Sequence, residues 1–154
     1  MRFFAIVFTI WTAGALCVQA SNETISYKEG ALHMDGQTLH VQIADTPEAM
    51  ERGLMYRSTM APYDGMLFVL DTPQSVAFWM KDTHIPLDVG FFDSRQKLLE
   101  IHPLKPLDLT VVPSESSDVM YALELPAGNF AKKGLKVGDC MQYKVLDTSK
   151  KVLQ

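Results

Sequence analysis

The dominant periodicity of this chain is two. Leu39, Val41 and Ile43 alternate with His40 and Gln42, the pattern of a half-buried β-strand. Leu32-His33-Met34 precedes that strand, joined to it through Asp35-Gly36, a dipeptide suited to the positive φ angles of a type I′ hairpin turn. Further strand-length apolar runs follow at Met66–Leu70, Val76–Met80, Leu87–Phe92, Leu98–Ile101, Val119–Leu125 and Cys140–Val145. The prolines fall between these runs or at their ends, and Asp93–Gln96, Ser114–Asp118 and Gly134–Asp139 read as polar turns or loops. One short helix is predicted. Asp45 offers a cap, Pro47 suits the first turn, Glu48 stands three residues after Asp45, and Gly53 provides a left-handed stop. The pattern predicts a mainly β fold: a compact antiparallel barrel or sandwich-like domain with one short α-helix.

Composition adds an N-terminal exception. Arg2 is followed by uncharged residues from Phe3 to Val18, then by Gln19-Ala20-Ser21. This is the pattern of a secretory signal cleaved after Ala20, with residues 1–20 as leader and 21–154 as a single domain. An uncleaved anchor is the alternative, although the apolar stretch is shorter than the ~20 residues of a spanning helix. The expected location is periplasmic or secreted, without stable membrane insertion once the leader is removed. Cleavage also removes Cys17 and leaves Cys140 alone, which excludes an internal disulfide and suggests a small buried hydrophobe. The formal net charge of −4, with no long basic run, argues against nucleic acid as a partner.

Signatures of phosphate loops, serine hydrolases and zinc peptidases are missing. Two carboxylates inside apolar runs attract attention instead: Asp88 between Leu87 and Val89, and Glu124 between Leu123 and Leu125. Such groups need a partner or a raised pKa. Arg52 and Arg57 flank the predicted helix end, so an internal ion-pair network pinning the helix to the sheet is the expected arrangement. The same residues leave open a hydrolase or lyase in which Asp88 and Glu124 act as an acid/base pair and an arginine holds an anion. Methionines are numerous. Met50, Met55, Met60 and Met66, with His33, His40, His84 and His102, are weak candidates for a copper(I) site, and gap-filling core residues are the plainer explanation. Trp79, the sole tryptophan after residue 20, is followed by Lys81-Asp82-Thr83, the apolar wall and polar tip of a ligand cleft.

Taken in order, Glu51–Arg57, Gly65–Phe68, Phe78–Lys81 with Thr83, Ile85–Asp88, Leu123–Gly128 and Gly138-Asp139 resemble domain-of-unknown-function family 192, over about Leu39 to Leu146. The resemblance implies a barrel-like β domain, often exported, with no established activity. It singles out Arg52, Arg57, Trp79, Met80, Thr83, Asp88 and Glu124 as ligand-binding candidates. Asp82 stands where the family pattern usually has asparagine, which would tune ligand charge. Gly90 replaces a bulky apolar residue, which would open a gap or bulge in its strand. The reading is therefore an exported, non-enzymatic binding or accessory module, without a cofactor, for a small molecule, a peptide or an envelope protein. Protein recovered after export should begin at Ser21 by intact mass. A chain that keeps residues 1–20 would establish the anchor instead.

Overall fold

The computed structural model of the protein describes residues 25–147; Cys17 and the leader lie outside them. Lys28–Met34 (β1) and Gln37–Ala44 (β2) form the predicted hairpin, Met34 opposite Gln37. Asp35 and Gly36 take φ of 46° and 73°, as the turn type requires. The chain then leaves the sheet through Pro47–Arg52 (α1). Thr46 rather than Asp45 caps this helix. Its hydroxyl accepts the Ala49 amide at 3.2 Å, while Asp45 pairs with Lys28. Gly53 ends the helix at φ 45°.

A connection of this length allows a crossover, and Gly65–Gln74 (β3) runs parallel to β2 in an otherwise antiparallel sheet. Ala77–Phe78 (β4) pairs with Val112–Pro113 (β7) in a separate ribbon. Leu87–Phe92 (β5) and Leu98–Leu104 (β6) form a hairpin. Val119–Pro126 (β8) inserts between β5 and β3, Asn129–Lys132 (α2) follows, and Met141–Leu146 (β9) adds to β1. The seven-stranded order is β6-β5-β8-β3-β2-β1-β9. This sheet is not closed. Its outer strands meet at one corner, where the Leu98 amide donates to the Asp139 carbonyl (2.8 Å) and the Met141 amide to the Gln96 carbonyl (2.9 Å). The result is a sandwich-like, mainly β domain. Among the described residues no helix is long and apolar enough to cross a membrane.

Two hydrophobic cores lie on opposite faces of this sheet. One joins Leu32, Leu39, Val41, Leu67, Leu123 and Phe130. The other joins Met66, Phe68, Val89, Phe91 and Ala122 to Ala49 and Leu54 from the helical segment. Alternation along β8 sends Leu123 and Leu125 to the first core and Ala122 to the second.

Several local expectations change. The run at Val76–Met80 is strand only at Ala77–Phe78, because the Met80 amide bonds the Asp108 carbonyl instead of a ladder. The helix α2 and the strand β7 were not predicted. Cys140 is exposed rather than buried. Gly90 opens neither gap nor bulge: it pairs regularly with Ile101 and Leu123, and the Phe130 ring fills its missing side chain. A Cβ there would lie 2.7 Å from Phe130 Cζ. Gly90→Ala should therefore cost about 1–3 kcal/mol in urea unfolding, part of it recovered in Gly90→Ala/Phe130→Leu. An unchanged midpoint for the single variant would show that the ring yields freely.

Candidate functional site

A cavity of about 770 Å³ opens between α1 and the outer half of β3. Helix α1 and the turn after it supply Met50, Arg52, Leu54, Met55 and Tyr56 to its wall, and β3 supplies Phe68 and Leu70. The ribbon side contributes Phe78, Trp79, Lys81 and Thr83. From the sheet, β8 contributes Glu124.

Cross-strand register explains why a carboxylate arrives there. Glu124 lies opposite Met66 on one side and Val89 on the other, and both of those side chains belong to the second core. Glu124 therefore projects to the α1 side of the sheet, and is only 4% exposed. No described residue offers its carboxyl a hydrogen bond or ion pair, and burial alone pushes it up to about 8. Because no fully sealed polar atom among the described residues is left without a partner, the unpaired carboxyl opens onto the cavity.

Other buried carboxylates here are satisfied. Burial also acts to raise Asp93, yet the Lys97 and Arg95 amides and the Arg95 guanidinium outweigh it and hold the group below its ordinary value. Glu100 is handled similarly. Burial opposes ionisation, but the Glu115 and Ser116 amides and the His102 ring bring the net shift downward. Glu124 is the exception.

The expected ion-pair network does not form. Arg52 places its guanidinium over the Tyr56 ring, 4.5 Å from the centroid. Arg57 donates to Gln42 and lies 5.2 Å from the Tyr27 ring centroid, away from the cavity. Between Arg52 and Arg57 the chain turns through Gly53 at φ 45° and Tyr56 at φ 65°, and the two guanidiniums reach different aromatic partners. Asp88 is likewise elsewhere. It neighbours Val89 on β5 and so faces the opposite way from Glu124, and its carboxylate accepts the Gly128 amide at 2.7 Å to fix the approach to α2. An acid/base pair of Asp88 and Glu124 has no geometric basis.

Trp79 stands at the cavity rim, 46% exposed, with the Lys81 ammonium 5.4 Å from its ring centroid. Thr83 is buried on the cavity wall, its hydroxyl donating to the Lys81 carbonyl at 3.0 Å. Met80 packs into the second core instead. Met50 and Met55 line the cavity while Met60 and Met66 are core residues, so the four do not share one wall. Asp82 is a backbone device: at φ 52° its carbonyl accepts the Tyr56 amide at 2.7 Å, and its carboxylate raises the Tyr56 phenol. Asparagine and aspartate both tolerate that left-handed conformation, so the departure from the family pattern keeps the turn. Phe68, Leu70 and Tyr56 were not singled out from sequence. An aromatic or aliphatic wall residue has the same local pattern as a core residue.

The profile of domain-of-unknown-function family 192, described as uncharacterized ACR, matches residues 30–143. The chain belongs to this family. It is similar to a Sinorhizobium meliloti 1021 protein described provisionally as a transcription regulator, with 36% identity over 78% of this chain and 97% of that one, at a TM-score of 0.72. A Novosphingobium aromaticivorans DSM 12444 protein of unknown function shares 27% identity over 75% of this chain and 84% of its own, at a TM-score of 0.66. No curated protein matches the chain.

Between its ordinary value of 4.5 and about 8, Glu124 holds a proton in the folded protein that the unfolded chain releases. Its contribution to stability is thus fully present below 4.5 and is lost as pH rises through about 8. Glu124→Gln should match wild type near pH ~4.5 and exceed it by about 1–3 kcal/mol near pH ~8.5 in urea unfolding. A variant destabilised equally at both pH values would mean that the carboxylate is paired after all.

Proposed function

We propose that this chain is an exported, non-enzymatic binding module of the periplasm or envelope, and that its cavity takes a small molecule or a peptide side chain. The observation that carries the reading is Glu124, an unpaired carboxyl opening onto an otherwise largely aromatic and aliphatic cavity. A protein that leaves a buried polar group unsatisfied sacrifices stability, which is the usual mark of a group reserved for something outside the chain. The rim supports the same reading. Trp79 and Tyr56, 46% and 62% exposed, flank the opening as large, stiff apolar surfaces with polar tips. The leader-like residues 1–20 support export, and the family assignment is compatible with either location.

In protein beginning at Ser21, Trp79 fluorescence reports on the rim alone. The free protein should emit to the red and be quenched by acrylamide. The neutral apolar fluorophore N-phenyl-1-naphthylamine should bind one-to-one and protect the indole. Blue-shifted emission that acrylamide does not reach, with no fluorophore binding, would make the cavity a closed core feature.

A further inference from the structure

The charges around the cavity specify its occupant further, if the binding reading above holds. Glu48, Glu51 and Arg52 face the space from α1, Tyr56 from the turn after it and Lys81 from the turn after β4. On the sheet side Glu124 is the sole ionisable lining residue among the described residues. Both cations are engaged at aromatic faces on the rim, Arg52 with Tyr56 and Lys81 with Trp79, and neither reaches Glu124. Among the described residues the interior therefore offers a carboxyl and an apolar wall, with no cation of its own.

We propose that the ligand supplies the missing cation: a primary amine on a compact apolar body, its ammonium on the Glu124 carboxyl and its body against Phe68, Leu70 and Phe78. An anionic ligand would meet Glu124 together with Glu48 and Glu51, and would have to draw Arg52 or Lys81 off its ring. A neutral ligand would hydrogen-bond the protonated carboxyl without charge pairing, and its affinity would not rise with pH. An ammonium ligand does the reverse. Charge pairing in a water-poor site favours the ionised carboxylate. At neutral pH the proton on Glu124 passes to solvent as the ammonium docks, and the ligand keeps its own protons. Binding should thus release up to one proton, and affinity should rise with pH until Glu124 is ionised in the free protein.

Three probes of one shape separate the possibilities: 2-phenylethylamine, 2-phenylethanol and phenylacetate. They are titrated into the wild-type protein by calorimetry near pH ~6.5 and ~8.5, with Trp79 emission as a second readout. The amine should bind at least about tenfold more tightly than either analogue at the higher pH, and about tenfold more tightly there than at the lower pH. Glu124→Gln should abolish that preference and its pH dependence while retaining N-phenyl-1-naphthylamine. The wild-type series decides the matter even if the variant fails to fold. Tighter binding of the alcohol or the acid overturns the amine assignment. So does failure of all three probes while N-phenyl-1-naphthylamine still binds, and the cavity then remains a binding site for another class. Failure of the neutral fluorophore as well removes the binding reading itself.

Discussion

The structure depends on β8 being buried from both sides. Tyr121, Leu123 and Leu125 enter one core, and Ala122 enters the other beside Phe68 and Phe91. A strand with no solvated face reads as a continuous apolar run and fixes its register firmly, since a one-residue slip would exchange the two faces. Every other element is placed relative to it. β3 and β5 flank it, the hairpin of β1 and β2 extends the sheet beyond β3, and α1 with the β4–β7 ribbon covers its second face.

Against that background Glu124 is costly. It occupies a β8 position whose neighbours across the ladder, Met66 and Val89, are completely buried apolar residues. The fold accommodates it because α1 and the ribbon stop short of sealing the face, which leaves open space where a side chain would otherwise close the core. One local defect in packing thus accounts for the cavity, the unpaired carboxyl and the half-exposed indole at its edge.

Much of this was legible in the sequence. Alternation at Leu39, Val41 and Ile43, the Asp35-Gly36 turn and the run at Leu87–Phe92 identify elements that recur nearly unchanged in the structure. Short elements escaped, because four residues of α2 and two of β7 carry too little periodicity to register. At the site, the apolar neighbours of Glu124 disclosed its burial but not its partner. Arg52 and Arg57 stand near the helix end in the sequence, yet the chain between them turns through Gly53 and Tyr56 at positive φ, and a bulky Tyr gives no hint of such a conformation. Asp88 was equally deceptive. Its spacing resembles that of Glu124, and only the register of β5 against β8 reveals that the two face apart.

The corner where β6 meets β9 has a bearing on how this open sheet behaves in company. An unclosed sheet presents two rows of free backbone groups, and those rows are templates for another chain. Here the start of β6 is already engaged by Asp139, and Met141, which opens β9, bonds to Gln96. Further along β6, Pro103 has no amide hydrogen to donate. An incoming strand would find a ladder occupied at one end and missing a donor near the other. The domain thereby keeps an open architecture, with room for a cavity on one face, while limiting the edge-to-edge growth that open sheets invite.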